Sequence, residues 1–157
     1  MLLRNAIRPV SFNTYAEPRA TLTEIDTPYG RGHEYVSAGS NWQWINIKLE
    51  AYADSGIIRV PVRKDEGFAV GVFSENFGSD GSPDIGVIDS GGDWSVIDIP
   101  ADKTPGWIKS WYGAAEGTVF DICDMVTFVG AGERDMLDAI GVPVFDGDLM
   151  PLGGYSS

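Results

Sequence analysis

Only one cysteine and one histidine, Cys123 and His33, occur among the 157 residues. A lone thiol closes no internal disulfide, so a scaffold held by cystine bridges is excluded. Zinc takes about four ligands drawn mostly from His and Cys, more than the chain owns, and no metal or other cofactor is expected. Basic residues are scarce as well: 11 Lys and Arg stand against 23 Asp and Glu, for a net charge of -12. Those cations are scattered along the chain from Arg4 and Arg8 to Lys109 and Arg134. No basic stripe tracks a phosphate backbone, which argues against nucleic acid as a partner. Long apolar runs are missing too. No stretch approaches the roughly 20 apolar residues of a membrane helix, so no membrane partner is expected. The opening Met1-Leu2-Leu3-Arg4-Asn5 lacks the apolar run of a signal peptide, and synthesis in a cytoplasm without cleaved export is the expectation.

What the chain does have is turns between short apolar segments. Hydrophobic residues make up 43%, enough for a packed core, and Gly at 20 with Pro at 9 punctuates them densely. From Trp42 to Ala53 the alternation has period two. Ile45, Ile47, Leu49 and Ala51 fall on one side, with Trp44, Asn46, Lys48, Glu50 and Tyr52 on the other, the pattern of a half-buried strand. Asp54-Ser55-Gly56 then predicts a hairpin into Ile57–Val62, and a third strand follows over Phe68–Ser74. A second hairpin is predicted from Ile85–Ile88, through Ser90-Gly91-Gly92-Asp93, into Trp94–Ile99. Trp107–Tyr112 and Thr118–Val129 complete the set. One short C-terminal helix is predicted over 133–140, with Glu133 and Asp135 at its positive end and Gly141 stopping it. The expected fold is all-β: an antiparallel β-sandwich, most simply a jelly roll. Residues 1–33 read as an N-terminal arm, 34–141 as the sandwich, and 142–157 as an extended tail.

No constellation names a reaction. Nucleophilic catalysis needs a nucleophile, a base and an orienting group. His33 in a Gly-rich arm is expected on the surface, and Cys123 in an apolar strand is expected to be an inert buried thiol. Asp80, Asp84 and Asp89 surround one loop, and Asp146 and Asp148 flank Gly147. Their spacing matches no EF-hand, and ordinary turn aspartates are the simpler reading. Gly130-Ala131-Gly132 opens the helix, but Asp135 stands where a dinucleotide fingerprint needs Gly or Ala. Acidic Glu133 and Asp135 would also repel a pyrophosphate. The chain is therefore expected not to be an enzyme. Aromatic residues are the stronger lead: Trp42, Trp44 and Tyr52 share one strand face, and Trp107, Trp111 and Tyr112 cluster in another segment. Exposed rings of this kind stack on sugars or bury in a protein partner, while buried ones line a core.

The run Gly92-Asp93-Trp94-Ser95-Val96-Ile97-Asp98-Ile99-Pro100, then Trp107-Ile108-Lys109, then Gly117-Thr118-Val119-Phe120-Asp121-Ile122-Cys123-Asp124-Met125, resembles carbohydrate-binding-module-like jelly rolls. The resemblance spans about residues 42–129 and implies the same sandwich. It also implies a structural calcium held by paired acids, but here Asp121 and Asp124 are separated by Ile122 and Cys123, so no ligand carries over. Similar modules occur in bacteriophage structural proteins. An arm, an acidic sandwich and a tail together suggest a virion protein made in a host cytoplasm. The leading expectation is a capsid decoration (cement) protein contacting a major capsid protein or tail proteins, in homo-oligomers or arrays. Arg4, Arg8, Phe12, Tyr15, Phe145, Leu149, Leu152 and Tyr155 are its expected partner contacts. The alternative is a carbohydrate-binding module or tail adhesion component reading sugars through Trp42, Trp44, Tyr52, Trp107, Trp111 and Tyr112.

Overall fold

A computed structural model describes residues 4–5, 11–13, 20–39, 45–75, 81–110 and 114–145, with backbone alone for 11–13. In chain order the elements are β1 (Ser11–Asn13), β2 (Ala20–Thr27), β3 (Gly30–Ser37), β4 (Asn46–Lys48), β5 (Gly56–Lys64), β6 (Val70–Ser74), β7 (Gly86–Ile88), β8 (Ser95–Ala101), β9 (Pro105–Ser110), β10 (Val119–Cys123), β11 (Thr127–Gly130) and helix α1 (Arg134–Ile140).

A five-stranded sheet runs β1-β4-β9-β6-β7 and packs against a six-stranded sheet built around β5. A strand has only two edges. Strand β8 takes one edge of β5 over residues 56–62, while β10 and β11 share the other, opposite residues 62–64 and 56–59. Beyond β10 lie β3 and then β2. All recorded pairings are antiparallel. Alternate residues of each strand meet in one core, with Ile47, Ile108, Val70 and Val72 from one sheet and Ile58, Val60, Tyr35, Phe120 and Ile122 from the other. The expected antiparallel β-sandwich with one short C-terminal helix is the observed fold.

Three expectations need correction. Neither predicted hairpin forms: β4 pairs with β1 and β9 whereas β5 lies in the opposite sheet, and β7 pairs with β6 whereas β8 pairs with β5. Each tight turn carries the chain over the core, from one sheet to the other, as jelly-roll winding requires. The region read as an arm is sheet over much of its length, because Ala20–Thr27 and Gly30–Ser37 pair along their whole length. Its alternation was masked by polar side chains, as β2 is an edge strand whose residues are half exposed and half partly buried. The stretch 118–129 is broken into β10 and β11 by a corner at residues 124–126.

Helix α1 ends where expected, at Gly141 in the left-handed conformation, whose N–H donates to the Asp138 carbonyl. Its Leu137 packs with Val129 and Phe145 in a small second core. Phe145, expected as a partner contact on a free tail, is fully buried and belongs to the interior. Asn5 holds its carbonyl. Its amide donates to the Val126 and Phe145 carbonyls at 3.3 and 3.2 Å, and its oxygen accepts from the Phe128 N–H at 2.9 Å. Thr127 adds a reciprocal pair with the Phe145 backbone. Among the described residues no helix is long and apolar enough to cross a membrane.

Candidate functional site

The outer face of the five-stranded sheet gathers the described aromatic and cationic residues of interest. Ile47 and Ile108 enter the core, so period two turns Asn46, Lys48, Trp107 and Lys109 outward. Val70 and Val72 likewise turn Gly71 and Phe73 to the outer side, where Phe73 is nonetheless fully buried. Register then aligns them: Trp107 lies between Lys48 and Phe73, and Lys109 between Asn46 and Gly71. The Lys48 ammonium stands 6.0 Å from the Trp107 ring centre, and the Lys109 ammonium 4.7 Å from that of Phe73. Burial holds Lys109 below the usual lysine range. Leu49 and Ala51 pack inward, leaving Tyr52 47% exposed with the Arg4 guanidinium 6.0 Å from its ring centre. At the other side Pro83 closes against Gly71, where an added Cβ would sit 2.6 Å from the proline.

Of the residues singled out in the sequence, Trp107 lies on this face, and Tyr52 and Arg4 lie against each other. Phe12 is in β1, paired with Ile47, its side chain outside the described set. Arg8, Tyr15, Trp42, Trp44, Trp111, Tyr112, Leu149, Leu152 and Tyr155 lie outside the described residues. Lys48, Phe73 and Lys109 were not singled out. Phe73 is fully buried in its strand, and the lysines gain meaning only once β4, β9 and β6 are known to be neighbours.

The outer face of the six-stranded sheet is built differently. Arg59 is buried there, held by Asp98 through two hydrogen bonds of 2.7 and 3.0 Å and by Asp138 of α1 at 2.7 Å. The Asp98 hydrogen bonds, outweighing the opposing effect of burial, push the guanidinium above its ordinary range, with Asp138 adding to them. Across β3, β10 and β5 the register aligns Glu34, Asp121 and Arg63. Asp121 is 4% exposed. Burial first, then the Glu34 carboxyl within hydrogen-bonding reach, push it up to about 7 against the pull of Arg63.

His33 is not a surface residue on an arm. It lies in β3 with its side chain 12% exposed, and its Nδ1 meets Asp124 Oδ1 at 2.7 Å. Burial raises Asp124 while His33 opposes the rise. The Cys123 thiol is buried, donates to the Arg31 carbonyl and is pushed up by burial. It therefore offers no ready thiolate.

The calcium implied by the sequence resemblance does not fit. Phe120 and Ile122 enter the core, so Asp121 faces outward, whereas Asp124 binds His33 on the core side. The two carboxylates lie on opposite sides of the sheet. Asp84 is occupied by the Ser74 amide and hydroxyl. Burial would raise its pKa, but those bonds and Lys103 hold it below its ordinary value. Among the described residues no three His, Cys, Asp or Glu side chains converge on a metal position.

No family model matches the sequence, and no curated protein matches it. The fold is similar to a family 29 carbohydrate-binding module from Piromyces equi, with a TM-score of 0.50 and 12% identity over 88% of this chain and 95% of that one. It is also similar to the carbohydrate-binding module CtCBM11, with a TM-score of 0.51 and 12% identity over 81% of this chain and 96% of that module. At such identity the likeness establishes the β-sandwich.

Proposed function

We propose that this chain is a non-catalytic carbohydrate-binding module whose binding surface is the outer face of the five-stranded sheet. The observation that carries the proposal is the alignment of Trp107 with Lys48 on that face. An indole ring offers an apolar plane to the C–H face of a pyranose, and neighbouring ammonium groups donate to its oxygens. Tyr52 extends the surface. In sequence, Trp42 and Trp44 hold the parity of Asn46 and Lys48, which makes them candidates for further platforms.

A glycan array with wild-type protein and the Trp107→Ala, Trp42→Ala and Trp44→Ala variants tests this reading. The expected result is binding to a defined glycan class that Trp107→Ala weakens about tenfold or more. An array without a single hit, or one that Trp107→Ala leaves untouched, removes the basis for it.

The capsid-decoration expectation drew on free arms at both ends. Strands β2 and β3 and the burial of Phe145 take that support away from residues 20–33 and 142–145. A sugar-reading component of a phage tail is compatible with the proposed surface. Residence on a virion, with capsid or tail proteins as neighbours, is a separate proposal tested by mass spectrometry of purified particles.

A further inference from the structure

We infer that the glycan recognised by this face is acidic, carrying carboxylate or sulfate groups. The inference rests on the carbohydrate-binding reading above and names the ligand class. It follows from how the chain distributes its few cations. On the six-stranded sheet and the loops, Arg31, Arg59, Arg63, Lys103 and Arg134 each form an ion pair with Asp or Glu, and Lys64 donates to the Asp65 carbonyl. On the five-stranded sheet the recorded contacts of Arg4 and Lys48 are with the rings of Tyr52 and Trp107 instead. Lys109 lies over Phe73 in the same row. In a chain of net charge -12, carboxylates are abundant, yet Arg4 and Lys48 are set beside rings.

Ammonium and guanidinium groups donate hydrogen bonds and accept none. A neutral pyranose presents hydroxyls that both donate and accept, and a donor-rich surface satisfies only half of that capacity. A uronate or sulfated sugar adds acceptor-only oxygens, and charge-assisted bonds to them are roughly twice as strong as neutral ones. The ring contacts add to this match. A cation beside an aromatic face is partly desolvated without being neutralised, so it keeps its attraction for an anion. Glu50, exposed on the same strand parity, opposes binding only locally. Repulsion from acids on the far sheet is screened beyond a Debye length of about 8 Å at physiological salt.

Titration calorimetry with oligogalacturonate, a sulfated dextran oligomer and neutral cellohexaose and mannohexaose tests the inference at low and high salt. The expected result is that one acidic ligand binds at least about tenfold tighter than either neutral one, with high salt abolishing most of the difference. The two acidic arms separate a uronate from a sulfate. Lys48→Gln is expected to lose the preference for acid, and Trp107→Ala to lose affinity for every sugar. Arg31→Gln, whose side chain is 66% exposed on the other sheet, is expected to bind as wild type. Tighter binding of a neutral oligosaccharide, or an acidic affinity unchanged by Lys48→Gln, overturns the inference while leaving the carbohydrate-binding reading standing. Failure of all four sugars to bind takes down both.

Discussion

The buried Asp121 carboxyl makes folding stability fall as pH rises, and Asp121→Asn isolates that effect. Asp121 has an ordinary value of 3.8 and is raised to about 7 in the fold. The folded protein therefore holds a proton that the unfolded chain releases. The stabilisation is complete below about pH 4, declines as pH rises through the window between the two values, and is gone above about 7. A gap of about 3 units at 1.36 kcal/mol per unit sets an upper limit of about 4 kcal/mol. Arg63, which contacts Asp121 at 3.4 Å, is already counted in the raised value, as is the neighbouring Glu34 carboxyl. A change of about 2–4 kcal/mol is therefore expected. Asparagine keeps the shape and supplies an N–H toward Glu34 at every pH, as the protonated acid does. Urea unfolding of wild type and Asp121→Asn across pH 4.5 to 8.5, on the order of one measurement per half unit, reads the difference directly. The variant is expected to gain about 2–4 kcal/mol on wild type at the alkaline end and almost nothing at the acid end. A stability difference that stays constant with pH would refute the raised Asp121 value.

Asn5→Ala takes the Asn5 amide from the Phe128 N–H and the Val126 carbonyl, and a loss of about 2–3 kcal/mol in urea unfolding is expected. Asp98→Ala strips the bidentate partner from buried Arg59, for which about 3 kcal/mol is expected, and a parallel Arg59→Met variant with full stability would show the network to be dispensable. Gly56→Ala drives a methyl group into the Val129 carbonyl and the Phe128 ring, so the variant is expected to fold poorly, read as a loss of cooperative thermal melting. Trp107→Ala changes a half-buried outward ring and is expected to cost under about 1.5 kcal/mol of stability while removing sugar affinity, which calorimetry and melting separate.

The sequence made the core legible where alternation is strong. Ile45, Ile47, Leu49 and Ala51 were read on one side, and they pack inward; Cys123 was read as buried, and it is. The helix was legible because Gly141 marks its stop. Pairing was not legible. Asp54-Ser55-Gly56 is a competent hairpin turn by composition, but whether a turn returns to its own sheet or crosses to the other depends on which edges are already occupied. Those edges are set by β9 and β10, far downstream in the chain. Strand β2 was missed for a different reason. Glu24 and Asp26 interrupt its apolar pattern, as charged residues on an exposed edge do. Phe145 was misread because a single aromatic after Pro143 has no period to place it. Its ring packs with Val129 and Leu137, and its carbonyl is held by Asn5, far away in the sequence.

The same blindness to pairing hid the candidate site. Trp107 was visible as an aromatic residue, but its neighbours Lys48 and Phe73 come from strands that sequence order keeps apart. Once they are aligned, the two outer faces divide the work. The six-stranded sheet spends its charges on Arg59, Asp98, Asp138, Arg63 and Asp121, where helix and strands are tied together. The five-stranded sheet leaves cations beside rings and facing outward. Residues on the two faces share no recorded contact and are separated by the thickness of the core, roughly 10 Å between packed sheets. Their perturbations should therefore add independently. The double variant Asp121→Asn, Trp107→Ala is expected to show the pH-flattened stability of the first and the lost sugar affinity of the second, each within about 0.5 kcal/mol of its single-variant value. Coupling well beyond that would mean that recognition and the Asp121 carboxyl are one system, and that the division between the faces is wrong.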